Sequence, residues 1–290
     1  MTNKNNKYQE TATIDVTQTV QAAEASVIGK TPIAALLTLA NLSPLTSVET
    51  LKETVTQNLG RHPFAAFGMA GIISSDGRLV YKSPSIDPNQ SISDQEKRLQ
   101  AEMQTYFANH IGLICHAVIL PALGSLQLEH RFTEEEFIEL AKQSPIVPPD
   151  RCRLFGKALY LGYDWDFGTA IQILCPQLEN MLRIQLKSSS VTTTNLDHDG
   201  IETETSLNTL MNLPLARKIL GEELAFEIKN LFCEPGGPNL RNQVALGLLN
   251  DDEIRSYPCV YAWWLILRLV INSAWNTGIQ IGEQAPNNVG

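Results

Sequence analysis

From residue 32 to residue 59 the apolar side chains recur at helical spacing: Ile33, Leu36, Leu37, Leu39 and Leu42, then Val48, Leu51 and Val55. A stripe of that period buries one face of a helix. Pro44 cannot continue a helical hydrogen-bond ladder, so the run divides into two helices. The next segment, GMAGIISSDGRLVYK, predicts a β-hairpin, with Ile72, Ile73, Leu79, Val80 and Tyr81 as β-prone arms and Asp76-Gly77 as the left-handed turn. It is the only clear strand signal in the sequence. Ser93 with Glu96 three residues on spells a capping box, and the helix it opens runs through Leu99, Met103, Tyr106, Phe107 and His110 towards Leu120. Thr133 with Glu136 repeats the box.

The run SPIVPPD at 144–150 interrupts the helical pattern and is the best place for a domain boundary. Beyond it, Phe167, Ile171, Leu174, Leu178, Leu182 and Leu186 lie on one stripe of a long helix, with Pro176 inside it as a predicted kink. A polar connection follows, SSSVTTTNLDHDGIETETS, turning at Asp199-Gly200. Helices are expected at 207–210 and 214–232. The loop EPGGP then leads into LRNQVALGLL and a last helix, VYAWWLILRLVI at 260–271. That helix has no polar face, so it belongs in the centre of the domain or in an oligomer interface. The fold class is therefore mainly α: a helical bundle over 151–275, preceded by a smaller helical region with one hairpin over 25–150. Residues 1–24, rich in Thr, Asn and Gln, predict a mobile tail, and 276–290 a second one.

Charge changes the picture. The chain carries a formal net charge of -9, which disfavours a broad grip on a polyanion. Residues 151–275 hold 11 Lys+Arg against 14 Asp+Glu, so a nucleic-acid partner would have to be held at a small local site. The longest apolar stretch, 259–271, is 13 residues and contains Arg268, short of the roughly 20 that span a bilayer. With a polar N-terminus and no signal peptide, a cytoplasmic location without a membrane partner is expected. The five cysteines are scattered and form no C-x-x-C pair, which predicts small buried hydrophobes rather than a disulfide or zinc framework. The five histidines show no metal-ligand spacing, and Asp197-His198-Asp199-Gly200 lacks the remaining positions of a calcium loop. No cofactor and no metal are expected. Trp263-Trp264 lies in a buried-type helix and is assigned to core or interface, not to base stacking.

The chemistry concentrates in Gly237-Pro238-Asn239-Leu240-Arg241-Asn242-Gln243-Val244-Ala245-Leu246-Gly247-Leu248-Leu249. Asn239 is placed to cap a helix, Gly247 to end it, and Leu240, Val244 and Leu248 to form its core stripe. Arg241 and Asn242 sit in the first turn, where unpaired backbone N–H groups favour an anion. The segment resembles the Arg-Asn-x-x-x-His-Gly signature of one branch of the HEPN (higher eukaryotes and prokaryotes nucleotide-binding) superfamily. The likeness extends through CPQLENMLR (175–183), LDHDGIETE (196–204) and VYAWWLILRL (260–269).

The resemblance implies a HEPN-like helical bundle and a metal-independent ribonuclease of toxin or antiviral-defence type, working as a homodimer on RNA. By it, Arg241 and Asn242 occupy the family's Arg-Asn positions, and Leu246 occupies that of the motif histidine. Imidazole titrates near neutrality and moves the proton, while guanidinium stabilises the phosphate. Leucine does no proton work, so the protein as written is expected to be inactive. Leu246 is either a lineage's abandonment of catalysis or an inactivating change in a toxic enzyme.

Glu179, Asn180 and Arg183 admit two readings: an ordinary i,i+4 ion pair on one helix, or the wall of the site, with Glu179 holding Arg241 and Arg183 contacting phosphate. Arg241 itself is either that phosphate ligand or a structural arginine paired to a carboxylate. The alternative function is a non-catalytic nucleotide- or RNA-binding module, or a regulatory dimerisation module.

Overall fold

The computed structural model describes residues 15–61, 71–73, 79–82, 92–196, 198–251 and 256–277. It is mainly helical. The first helix, α1 (Thr17–Val27), buries Ala23 and Val27, so the expected tail does not extend to residue 24. Residues 1–14 and 278–290 lie outside the described residues. α2 (Pro32–Ala40) and α3 (Val48–Arg61) flank Pro44 as the spacing predicts. The hairpin pairs β1 (Gly71–Ile73) with β2 (Leu79–Lys82), antiparallel, Ile72 opposite Tyr81. Its Asp76-Gly77 turn is outside the described residues.

α4 (Ile92–Ile114) starts one residue before Ser93, which therefore falls inside the first turn and not at the cap. It continues through a π-helical turn (Cys115–Ile119) into α5 (Leu120–Glu129). This rod corrects the membrane argument. Asp94–Glu129 is long and apolar enough by composition to cross a bilayer. Yet 44% of that apolar window is buried inside the fold, where Phe107, Ile111, Cys115, Ile119 and Leu123 join the core.

α6 (Glu134–Gln143) opens on the expected capping box: Glu136 N–H donates to Thr133 Oγ1 at 3.3 Å and Thr133 N–H to Glu136 Oε2 at 2.7 Å. A short 3-10 turn (Pro149–Arg151) leads to α7 (Cys152–Tyr163), whose Phe155, Leu159 and Tyr163 are buried. α8 (Phe167–Ser188) passes through Pro176 as one 22-residue helix. The segment expected as plain connection holds a second hairpin, β3 (Thr194–Leu196) with β4 (Glu202–Glu204). The predicted turn at Gly200 (φ +79°) is there. Then come α9 (Leu207–Met211), α10 (Pro214–Leu220) and α11 (Glu222–Phe232). Gly221, at φ +83°, separates the last two where one helix was expected. α12 (Leu240–Ala245) and α13 (Tyr257–Asn276) complete the chain.

The main core is built around α13. Residues 259–267 are all buried, against α8, α2, α6, α4 and α7. Trp263 Nε1–H donates to Leu159 O at 3.0 Å and Trp264 Nε1–H to Leu39 O at 2.8 Å, so each indole buries its ring and pairs its one donor. Core, not oligomer interface, is the place of this helix. One buried cluster runs from Ala23 to Ala274, and α6 packs against α7 across the 144–150 break, so the hydrophobic core does not divide there.

Candidate functional site

α8 presents Glu179, Arg183 and Lys187 at i, i+4 and i+8, one face of the helix. Glu179 is nearly buried, its side chain 14% exposed, and its two oxygens serve two arginines. Oε1 accepts from Arg183 Nη2 at 2.9 Å, and Oε2 accepts from Arg241 Nε at 3.2 Å. Arg183 also donates from Nη2 to Thr205 O at 2.9 Å, and its Nε lies 3.0 Å from Glu204 Oε2. Glu204 Oε1 pairs in turn with Lys187 at 2.9 Å. The second hairpin is therefore pinned to α8 beside the site, and Arg183 is ion-paired to both Glu179 and Glu204.

Arg241 differs. It stands in the first turn of α12, which is anchored by Leu240 at 2% exposure and packs on α8. Its side chain is 36% exposed and engages Glu179 through Nε alone. The two terminal amino groups have no protein partner among the described residues. A guanidinium fixed by its Nε edge with its outer fork open is arranged to take an anion in bidentate fashion.

The rest of the motif divides. Asn242 is exposed and Asn180 half-buried, and neither makes a side-chain hydrogen bond among the described residues. Asn239 does occupy the N-cap position, but it caps nothing with its side chain. Its backbone is left-handed (φ +50°, ψ +40°), which turns the side chain away from the first turn, and its Oδ1 is buried without a partner. Gly247 does end the helix. At φ +65° it lets its own N–H reach Val244 O at 3.2 Å and Leu248 N–H reach Gln243 O at 2.8 Å, the paired bonds of a Schellman stop. Leu246, the C-cap, is 68% exposed. Leu248 is 45% exposed, so the expected core stripe holds only at Leu240 and Val244.

Behind the site lies a dry wall. Cys175, one turn before Glu179, has its thiol pushed up to about 12, by burial first and by the Glu179 charge second. Burial pushes Cys233 up to about 12 as well, with Glu234 and Glu179 adding. All five cysteines are buried and none is in a disulfide, matching the reading of them as small hydrophobes. Among the described residues no group of three or more His, Cys, Asp or Glu is arranged to hold a metal ion.

Sequence reasoning brought together Glu179, Arg183 and Arg241. It missed Glu204, Lys187 and the Thr205 carbonyl. The signal for them was present as alternating Thr and Glu on either side of Asp199-Gly200. No family model, curated protein or solved structure matches the chain.

Proposed function

We propose that the chain is a HEPN-like domain of the toxin or antiviral-defence ribonuclease type. It retains the phosphate-holding half of its site and lacks the proton-transferring half. The observation that carries this reading is Arg241: its Nε is held by a nearly buried Glu179 while its outer amino groups meet no partner among the described residues. Asn242 lies exposed beside it, and the position of the motif histidine, Leu246, opens to solvent at the end of the same short helix. An RNA or nucleotide phosphate binds at Arg241 and is not cut, because nothing at position 246 exchanges a proton near neutral pH. No metal or cofactor takes part. The working unit is a cytoplasmic homodimer with two such sites. The runner-up is a binding module in which Leu246 is the settled state and phosphate recognition is the whole function, resting on the same open guanidinium. A regulatory dimerisation module is the further alternative, for which Arg241 and Asn242 would not be required; with α13 buried in the chain's own core, a dimer of either kind uses another face.

Binding of a short labelled single-stranded RNA at low salt tests the phosphate site. Affinity should fall about tenfold in Arg241→Ala, and the slope of log affinity against log salt should shrink by about one. Equal affinity and equal slope in the two proteins would remove Arg241 from the site.

A further inference from the structure

A cleft of about 460 Å³ opens between α3 and α4 on one side and α9, α10 and α11 on the other. No residue of the Arg241–Glu179 site lines it. Its volume falls within the roughly 300–1,000 Å³ of ordinary small-molecule sites. The apolar wall is built by Leu99, Met103, Met211 and Phe226, two adaptable thioethers and a ring that favour a flat or irregular apolar body.

The charges around that wall are of two kinds. Arg217 lies 3.6 Å from Glu222, and Lys229 lies 3.1 Å from Glu234, so these four neutralise one another. Lys52 on α3 and Glu96 on α4 also line the cleft. Both are exposed, and neither is ion-paired with any described residue. Asn230 also lines the cleft, its Nδ2 donating to Phe226 O at 2.8 Å and its Oδ1 buried. The cleft thus offers one cation and one anion, neither ion-paired with a described residue, beside an apolar surface. A simple carboxylate would meet Lys52 but also face Glu96, and a simple amine would face the reverse.

We propose that this cleft binds a small zwitterion with an apolar body, for which an apolar α-amino acid is the simplest chemistry. Its carboxylate faces Lys52, its ammonium faces Glu96, and its side chain covers Met103 and Phe226. The site is separate from Arg241 and does not depend on the ribonuclease reading.

The test is calorimetric titration of the full chain with L-phenylalanine, 3-phenylpropionate and 2-phenylethylamine. L-Phenylalanine should bind saturably at one site per chain. Each analogue lacks one charge and should bind about tenfold more weakly or worse, as should L-phenylalanine to Lys52→Met and to Glu96→Gln. Both variants change exposed side chains outside the core, so folding is preserved. The proposal is overturned if L-phenylalanine shows no saturable binding up to about 10 mM. It is also overturned if either analogue binds as tightly, or if both variants bind as the parent does.

Discussion

At the scale of single residues, the site depends on how each charge is held. Glu179 divides its two oxygens between Arg183, which also pairs with Glu204 and Thr205 O, and Arg241, which has no other partner among the described residues. That pair was legible in the sequence, because the resemblance placed Arg241 and the i,i+4 spacing placed Glu179 with Arg183. The left-handed backbone of Asn239 was not legible, since a polar residue before a helix reads as a cap whichever way its backbone turns. Glu227, unremarked in the sequence, is another such case. It is wholly buried, its Oε1 accepting Thr46 N–H at 2.7 Å and Tyr261 O–H at 3.0 Å, while Oε2 has no partner. Burial raises its pKa above the ordinary 4.5. The folded state therefore holds the Glu227 proton more readily than the unfolded chain does. The stability this contributes is fully present below the unfolded value and is lost as pH rises through the raised folded one. Glu227→Gln keeps an acceptor and cannot ionise. Urea titrations between about pH 5 and pH 8 should show the parent losing more stability than this variant as pH rises. Parallel pH profiles would contradict the assignment.

At the scale of elements, two glycines set how closely the helices approach. A Cβ at Gly156 would lie 2.4 Å from the Ile138 backbone Cα, and one at Gly162 would lie 2.2 Å from the Trp263 ring. Gly156→Ala and Gly162→Ala should each destabilise by about 1–3 kcal/mol, read as a lowered denaturation midpoint. Gly112→Ala is the control. Its Cβ would meet only the Tyr257 side chain at 3.4 Å, so the outcome there should be neutral or stabilising by up to about 1 kcal/mol. If all three behave alike, the close packing of α7 on α6 and α13 is wrong. The long periodic helices, α2, α3, α6 and α8, were legible because each buries one continuous stripe. The β3–β4 hairpin was not, because its strands are nearly all exposed. With no buried face there is no alternation to read, and its place is set instead by Glu204 reaching Arg183 and Lys187.

At the scale of the whole molecule, one core organised on α13 joins the segments on both sides of the 144–150 break. Sequence pattern located that break but could not weigh it, since a proline-rich interruption looks the same between domains and between packed helices. The mainly α class was legible throughout. The cleft between α3–α4 and α9–α11 was not, because it depends on how distant helices face each other. With a net charge of -9, any phosphate must be drawn by a local fork and not by the global field. The central claim, that this molecule holds phosphate and lacks only a proton-transferring group, is tested most directly by Leu246→His. The side chain is 68% exposed, so stability should change by no more than about 0.5 kcal/mol. The purified, folded, dimeric variant should cleave RNA in the presence of EDTA, about 10²–10⁴-fold faster than the parent, and adding Arg241→Ala should abolish that cleavage. A folded Leu246→His dimer that leaves single-stranded and structured RNAs intact would contradict the account.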